Sequence, residues 1–283
     1  MKKTVIAILI AVLVVAIGGG LIFAGLSAIN FKFDKLDRTE YTTSTYDFIE
    51  SVREIDVEGH TADVELLASA DSGCKVVCFE NDREKYAVSS ENGRLVVRPV
   101  DGGKFRWSLF SLPFKTPKIS VYLPAGTYDL MKAQLDTGDI TADKALSFET
   151  VDVSLDTGDL TFSGVQARRI TVHSDTGDIR LGYVTPETVA LSVETGKIDV
   201  FNVVCSGDLC CESSTGDIRL TDVDAANLHL SASTGDITGT VLTEKTFSAN
   251  TTTGKVSVPN TAAVGLCKAQ TSTGDIRLSI SGK

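Results

Sequence analysis

The chain has 283 residues, 42% of them hydrophobic, and a formal net charge of −10. That is enough apolar material for a long core, and the acidic balance excludes nucleic acid as a partner, because phosphate backbones are held by clustered cations.

After Met1, Lys2 and Lys3, residues 4–29 carry no charge, a run long enough to cross a bilayer as a helix. Residues 1–29 read as a signal-anchor transmembrane helix. The basic start would also suit a cleaved signal peptide, but the apolar stretch is long and no A-x-A site closes it. All 37 acidic and 25 of the 27 basic side chains follow it, a formal charge of −12 on residues 30–283. A domain of that sign is repelled by anionic lipid head groups. The expected arrangement is a single-pass protein of the cell membrane with an extracellular C-terminal domain, joined through a polar stalk at 30–47.

Residues 48–130 read as irregular β coils and a cap. Short alternating segments such as Ile55-Asp56-Val57, Asp63-Val64-Glu65-Leu66 and Lys75-Val76-Val77-Cys78-Phe79 are separated by turn signals such as Glu91-Asn92-Gly93. Phe105, Trp107, Phe110 and Phe114 concentrate aromatics in one segment; a lid over the open end of the core is favoured there over a platform for sugar rings.

From residue 131 to the C-terminus the chain repeats. Thr-Gly-Asp or Thr-Gly-Lys recurs eight times, with glycines at Gly138, Gly158, Gly177, Gly196, Gly216, Gly235, Gly254 and Gly274, spaced 19 or 20 residues apart. With glycine as position zero, positions −7, −5 and +2 are apolar in every repeat; position +2 is Ile140, Leu160, Ile179, Ile198, Ile218, Ile237, Val256 and Ile276. Alternation on both sides of the motif makes each repeat two strands around a corner. A glycine with φ > 0, as in a type II turn, supplies the corner. A hairpin would oppose Asp136 to Asp139 and Asp156 to Asp159, like charges that disfavour it. The fold class expected is all-β: a parallel β-solenoid, specifically a single-stranded β-helix with coils of 19–20 residues, eight of them over 131–283. Outward positions +1 (Asp178, Lys197, Asp217) and +3 (Arg180, Asp199, Arg219) alternate in charge along the stack.

The strand ending in Val121-Tyr122-Leu123-Pro124-Ala125-Gly126, followed by Thr-Gly-Asp-Ile units behind a single anchor, resembles the bacterial β-strand-repeat family known as "putative adhesin", a domain of unknown function. Some of its relatives, of the LiaG and LiaX type, are cell-envelope proteins. The resemblance spans about residues 48–280. It implies a β-helical envelope protein, adhesin-like or part of an envelope-stress response, and no catalytic residues.

Other chemistries have weaker signals. Asp-Thr-Gly also marks aspartic proteases, but those need two aspartates in one buried site, and the Asp position becomes Glu194, Ser214, Ser233, Thr252 and Ser272 in later repeats. Asp136, Asp139, Asp156, Asp159, Asp175 and Asp178 place six carboxylates on three adjacent corners, an oxygen-rich stack that suits calcium, with Lys197 and Lys255 interrupting the column. Among six cysteines, Cys205 with Cys210 is the one local pair worth considering as a disulfide; Cys211 and Cys267 lie three coils apart. His60, His173 and His229 fall on different registers and form no catalytic set. The reading is a non-enzymatic, membrane-anchored extracellular module without a cofactor, partnered by an envelope protein or glycan. The alternative is a calcium-binding or polysaccharide-processing β-helix.

Overall fold

The computed structural model describes residues 40–81, 84–100 and 115–282, together with Phe23 and Ser27. The expected membrane span and the aromatic segment at 105–114 lie outside the described residues. Among the described residues, no helix is long and apolar enough to cross a membrane.

The strands in chain order begin with β1 (Tyr41–Phe48), β2 (Glu54–Gly59), β3 (Asp63–Ser69), β4 (Cys74–Asn81), β5 (Tyr86–Glu91), β6 (Arg94–Pro99) and β7 (Lys118–Pro124). The repeats then contribute pairs: β8 (Thr127–Thr137) and β9 (Ile140–Ala142), β10 (Ser147–Thr157) and β11 (Leu160–Ser163), β12 (Gln166–Thr176) and β13 (Ile179–Val184), β14 (Thr188–Thr195) and β15 (Ile198–Val203). Four more pairs follow: β16 (Asp208–Thr215) and β17 (Ile218–Val223), β18 (Asn227–Thr234) and β19 (Ile237–Val241), β20 (Thr246–Thr253) and β21 (Val256–Ser257), β22 (Leu266–Thr273) and β23 (Ile276–Ile280).

Each repeat puts one strand into each of two sheets. The 12-stranded sheet runs β1-β4-β7-β3-β9-β11-β13-β15-β17-β19-β23-β21 and the 11-stranded sheet β20-β22-β18-β16-β14-β12-β10-β8-β2-β6-β5. The solenoid is therefore two-sheeted, which refines the single-stranded β-helix expected above. Neighbouring repeats pair in parallel and in register, for example Val151↔Ile170 and Ile179↔Ile198. Positions −7, −5 and +2 point between the sheets, and Met131, Ile170, Leu209, Ile198 and Ile218 are almost fully buried there. Burial of a Leu or Ile side chain stabilises by roughly 1.5–3 kcal/mol, and no repeat can bury these residues without its neighbours.

Three features depart from the sequence reading. First, a further coil precedes the eight. β2 and β3 pair in parallel with β8 and β9, with Ile55↔Met131 and Val64↔Ile140, so Thr61-Ala62-Asp63-Val64 occupies the place of Thr-Gly-Asp-Ile. Second, the stalk ends earlier than residue 47. Tyr41–Phe48 forms β1, antiparallel to β4, because residues on both of its faces find apolar partners: Tyr41 stacks on Phe79 at 5.0 Å on the outer face, and Tyr46 and Phe48 pack on the core. The cap consists of antiparallel β1-β4-β7 and β5-β6.

Third, the coils are not stacked in sequence order. β22 pairs with both β18 and β20, and β23 with both β19 and β21. The last coil is thus inserted between the sixth and the seventh, and the seventh forms the open end. Cys211 and Cys267 are consequently two coils apart rather than three. All six cysteines are free thiols, so Cys205 and Cys210 form no disulfide. Cys205 is turned inward and buried, whereas Cys210 lies on the outer face of β16.

Candidate functional site

The repeated corner is where the chain turns from one sheet to the other. Its eight glycines have φ between +139° and +151°, beyond the value near +80° of a type II turn and in a region essentially confined to glycine. A Cβ on Gly216 would lie 1.9 Å from the carbonyl oxygen of Gly196 in the preceding coil. Conformation and close approach both demand glycine. At the first corner, where the His60 and Thr61 amides go to Glu84 of the cap, Ala62 is accommodated without a positive φ.

Corner amides point in alternating directions along the stack. The N–H of Gly216 donates forward to Thr234 O at 2.8 Å, and that of Ile218 to Asp236 O at 2.9 Å. The intervening +1 amide points backward, where no carbonyl awaits it, and the +1 carboxylate of the preceding coil accepts it instead. Asp139 N–H donates to Asp63 Oδ1 at 3.0 Å, Asp159 to Asp139 at 2.9 Å, Asp178 to Asp159 at 2.7 Å and Lys197 to Asp178 at 2.8 Å. The ladder resumes with Asp236 on Asp217, Asp275 on Asp236 and Lys255 on Asp275. Each carboxylate satisfies an otherwise orphaned backbone donor. Lys255 occupies the terminal coil, where no further amide needs an acceptor.

One rung is missing. Lys197 offers no acceptor, and Asp217 is the one +1 amide after the first coil, among the described residues, that meets no carboxylate. A depression of about 90 Å³ lies there, lined by Asp178, Arg180, Lys197, Asp199, Asp217 and Arg219. Its three carboxylates are engaged: Asp178 and Asp217 in the ladder, and Asp199 with Arg180 at 3.6 Å. The register Arg180↔Asp199↔Arg219 matches the charge alternation read from the sequence, yet only Arg180 has closed its ion pair.

Two strand positions beyond Arg180, on the same outer face, the Phe201 ring lies against Gly182, where any Cβ would clash with it at 2.1 Å. Arg180 sits over that ring at 6.0 Å. Tyr183 meets Phe201 edge-on, with centroids 5.3 Å apart, and remains 58% exposed. Tyr183 has φ +56°; its equivalents in the neighbouring coils are Gly164, Asn202 and Asp222, all likewise at positive φ. Glycine, asparagine and aspartate tolerate that conformation, whereas tyrosine is strained there.

The calcium candidates do not act as one group. Asp139, Asp159 and Asp178 each have Oδ1 occupied by an amide. Asp136 Oδ2 lies 2.7 Å from His60 Nδ1, and Asp175 Oδ1 lies 3.1 Å from His173 Nε2. Asp156 is exposed. No group of three or more His, Cys, Asp or Glu residues is arranged to hold a metal ion among the described residues. His229 neighbours Cys210 and Lys268 in the outer ladder of the other sheet. Burial pushes the thiols of Cys74, Cys78 and Cys267 up to about 12, so these remain protonated hydrophobes.

The sequence matches the family described as Toastrack DUF4097 over residues 52–213 and 207–283. The chain belongs to that family. The matched region opens just before β2, so the additional Thr-Ala-Asp-Val coil and most of the cap are included. Solved structures with similar folds include a putative adhesin from Bacteroides fragilis, 15% identical, with 85% of this chain and 97% of that chain covered at a TM-score of 0.48. A putative lipid binding protein from Parabacteroides distasonis is also 15% identical, with 84% and 97% covered and a TM-score of 0.48. A putative adhesin from Parabacteroides distasonis is 11% identical, with 86% and 98% covered and a TM-score of 0.47. No curated protein matches the sequence.

Proposed function

We propose that this Toastrack protein is a non-catalytic binding module of the bacterial cell surface, tethered through residues 1–29 as a single-pass anchor with its C-terminal domain outside. One observation carries the reading: the repeat commits its inward residues to the core and most of its corner carboxylates to backbone amides, leaving the outward side chains to vary. A scaffold of that kind presents a surface and gathers no acid, base and nucleophile in one place. The uncharged run at 4–29 supports the tether, and the −12 charge of the remainder supports a domain held away from anionic lipid. The partner is an envelope protein or glycan.

The test uses the full-length chain. In intact cells, protease added outside should cleave the solenoid domain, and the purified chain should capture envelope material without hydrolysing it. Protection from external protease would refute the orientation. Turnover of an envelope polysaccharide would refute the non-catalytic reading.

A further inference from the structure

We propose that the gap at Lys197, together with the aromatic pair Tyr183 and Phe201, is a binding site for an acidic saccharide whose carboxylate replaces the missing rung. The inference rests on the binding-module reading and names the chemistry of its ligand.

Every other +1 amide after the first coil is met by a carboxylate at 2.7–3.0 Å. The Asp217 amide is left open beside a cation, in a depression of about 90 Å³. That is room for a few water molecules at about 30 Å³ each, and hence for a carboxylate. Among the described residues, the ammonium of Lys197 and the guanidinium of Arg219 approach no carboxylate within ion-pair distance, while each of the three local aspartates already has one oxygen engaged. An incoming carboxylate therefore meets a free backbone donor and two free cations, and such charge-assisted hydrogen bonds are about twice as strong as neutral ones. The lining balances Asp178, Asp199 and Asp217 with Arg180, Lys197 and Arg219, so this spot is less acidic than a chain of net charge −10 as a whole.

The aromatic pair supplies the rest of the ligand's character. Tyr183 keeps a bulky side chain at φ +56°, where the equivalent position of the preceding coil is Gly164. A left-handed residue with a Cβ costs roughly 1–2 kcal/mol, and strain retained at an exposed position points from structure to function. Its contact with Phe201 orients the ring but leaves Tyr183 58% exposed. Tyr183 lies five strand positions and two coils from Asp217, about 19 Å between Cα atoms at regular strand spacing, so the pair suits an oligomeric uronate, with the acid of one sugar in the gap and the apolar C–H face of another on the exposed ring. An acidic peptide would use the cations and leave the ring idle.

The full-length chain in detergent is titrated with trigalacturonate, its methyl ester and polyglutamate at low ionic strength. Saturable binding of trigalacturonate, at least about tenfold weaker for the ester, is expected from loss of the charge-assisted contacts. Lys197→Asp fills the rung from within and should abolish binding while leaving the melting temperature equal or higher, which separates lost recognition from lost fold. Tyr183→Gly, copying Gly164, removes the ring without backbone cost and should weaken trigalacturonate binding and spare polyglutamate. Absence of saturable binding, equal affinity for the ester, or unchanged affinity in Lys197→Asp would overturn the proposal. Tighter binding of polyglutamate that Tyr183→Gly does not alter would make this an acidic-peptide site and overturn the saccharide assignment. Capture of envelope material by the wild-type chain is scored separately: capture without trigalacturonate binding removes this site and leaves the binding module standing.

Discussion

The Oδ1 atom of Asp159 accepts the backbone N–H of Asp178 at 2.7 Å across the boundary between two coils. The contact turns an exposed aspartate of a repeated tripeptide into part of the backbone hydrogen-bonding scheme, because the Asp178 amide faces away from every forward carbonyl. Asp159→Ala should therefore destabilise the solenoid by about 1 kcal/mol, the net worth of one such hydrogen bond, whereas alanine at the neighbouring exposed Asp156 should have less than half that effect. Chemical denaturation of the two variants makes the comparison.

Gly216→Val and Asp217→Ser test the two halves of the corner. Valine at 216 would set a β-branched side chain at φ +142° and a Cβ 1.9 Å from Gly196 O, and the coils must separate to admit it. A loss above about 4 kcal/mol, or failure to fold, is expected. Serine at 217 weakens one bond, to the Asp236 amide, at a cost of about 1 kcal/mol. Equal midpoints for the two variants would contradict the corner geometry.

Lys245 tests the inserted coil. It is 4% exposed, and its Nζ lies 2.7 Å from Asp224 Oδ1 and 3.1 Å from Thr243 Oγ1, where the chain leaves the sixth coil and skips the slot that the last coil fills. Lys245→Ala leaves the partly buried Asp224 carboxylate without its cation, and loss of one partner of a buried pair costs about 3–5 kcal/mol. Limited proteolysis of this variant should open the chain first within 242–282, with the earlier coils retaining their protection.

Asp56 makes the cap sensitive to acid. Burial pushes its carboxyl up, but hydrogen bonds from Arg98 at 2.7 Å and from Arg94, with the charges of both, outweigh that and hold it below the ordinary carboxylate value. A depressed folded value means that the stabilisation is complete above the unfolded value, about 3.9, and is lost as pH falls through the folded one. The melting temperature should fall below about pH 4. Asp56→Asn should lower it at neutral pH and flatten its decline in acid, as read by calorimetry across that range.

The period of 19–20 residues and the apolar columns at −7, −5 and +2 made the parallel coils legible, because side-chain alternation and repeat length leave little else for them to build. The additional coil was obscured by one substitution, Ala62 for glycine, although Thr61, Asp63 and Val64 keep the pattern. The insertion of the last coil had no local signature: β20 and β22 carry equivalent apolar columns, so neither announces which of them pairs with β18. The role of the corner aspartates also escaped the sequence, since it depends on the direction of a backbone amide. A residue-by-residue alignment would have exposed the strained Tyr183 only by comparison with Gly164, Asn202 and Asp222.

Amide hydrogen exchange resolved along the +1 column tests the central claim most directly. The account predicts slow exchange at Asp178 and Asp236, whose amides are held by carboxylates, and fast exchange at Asp217, beside Lys197, with protection restored there in Lys197→Asp. Equal protection of Asp217 and its neighbours in the wild-type chain would mean that the ladder has no gap and that the proposed site is closed.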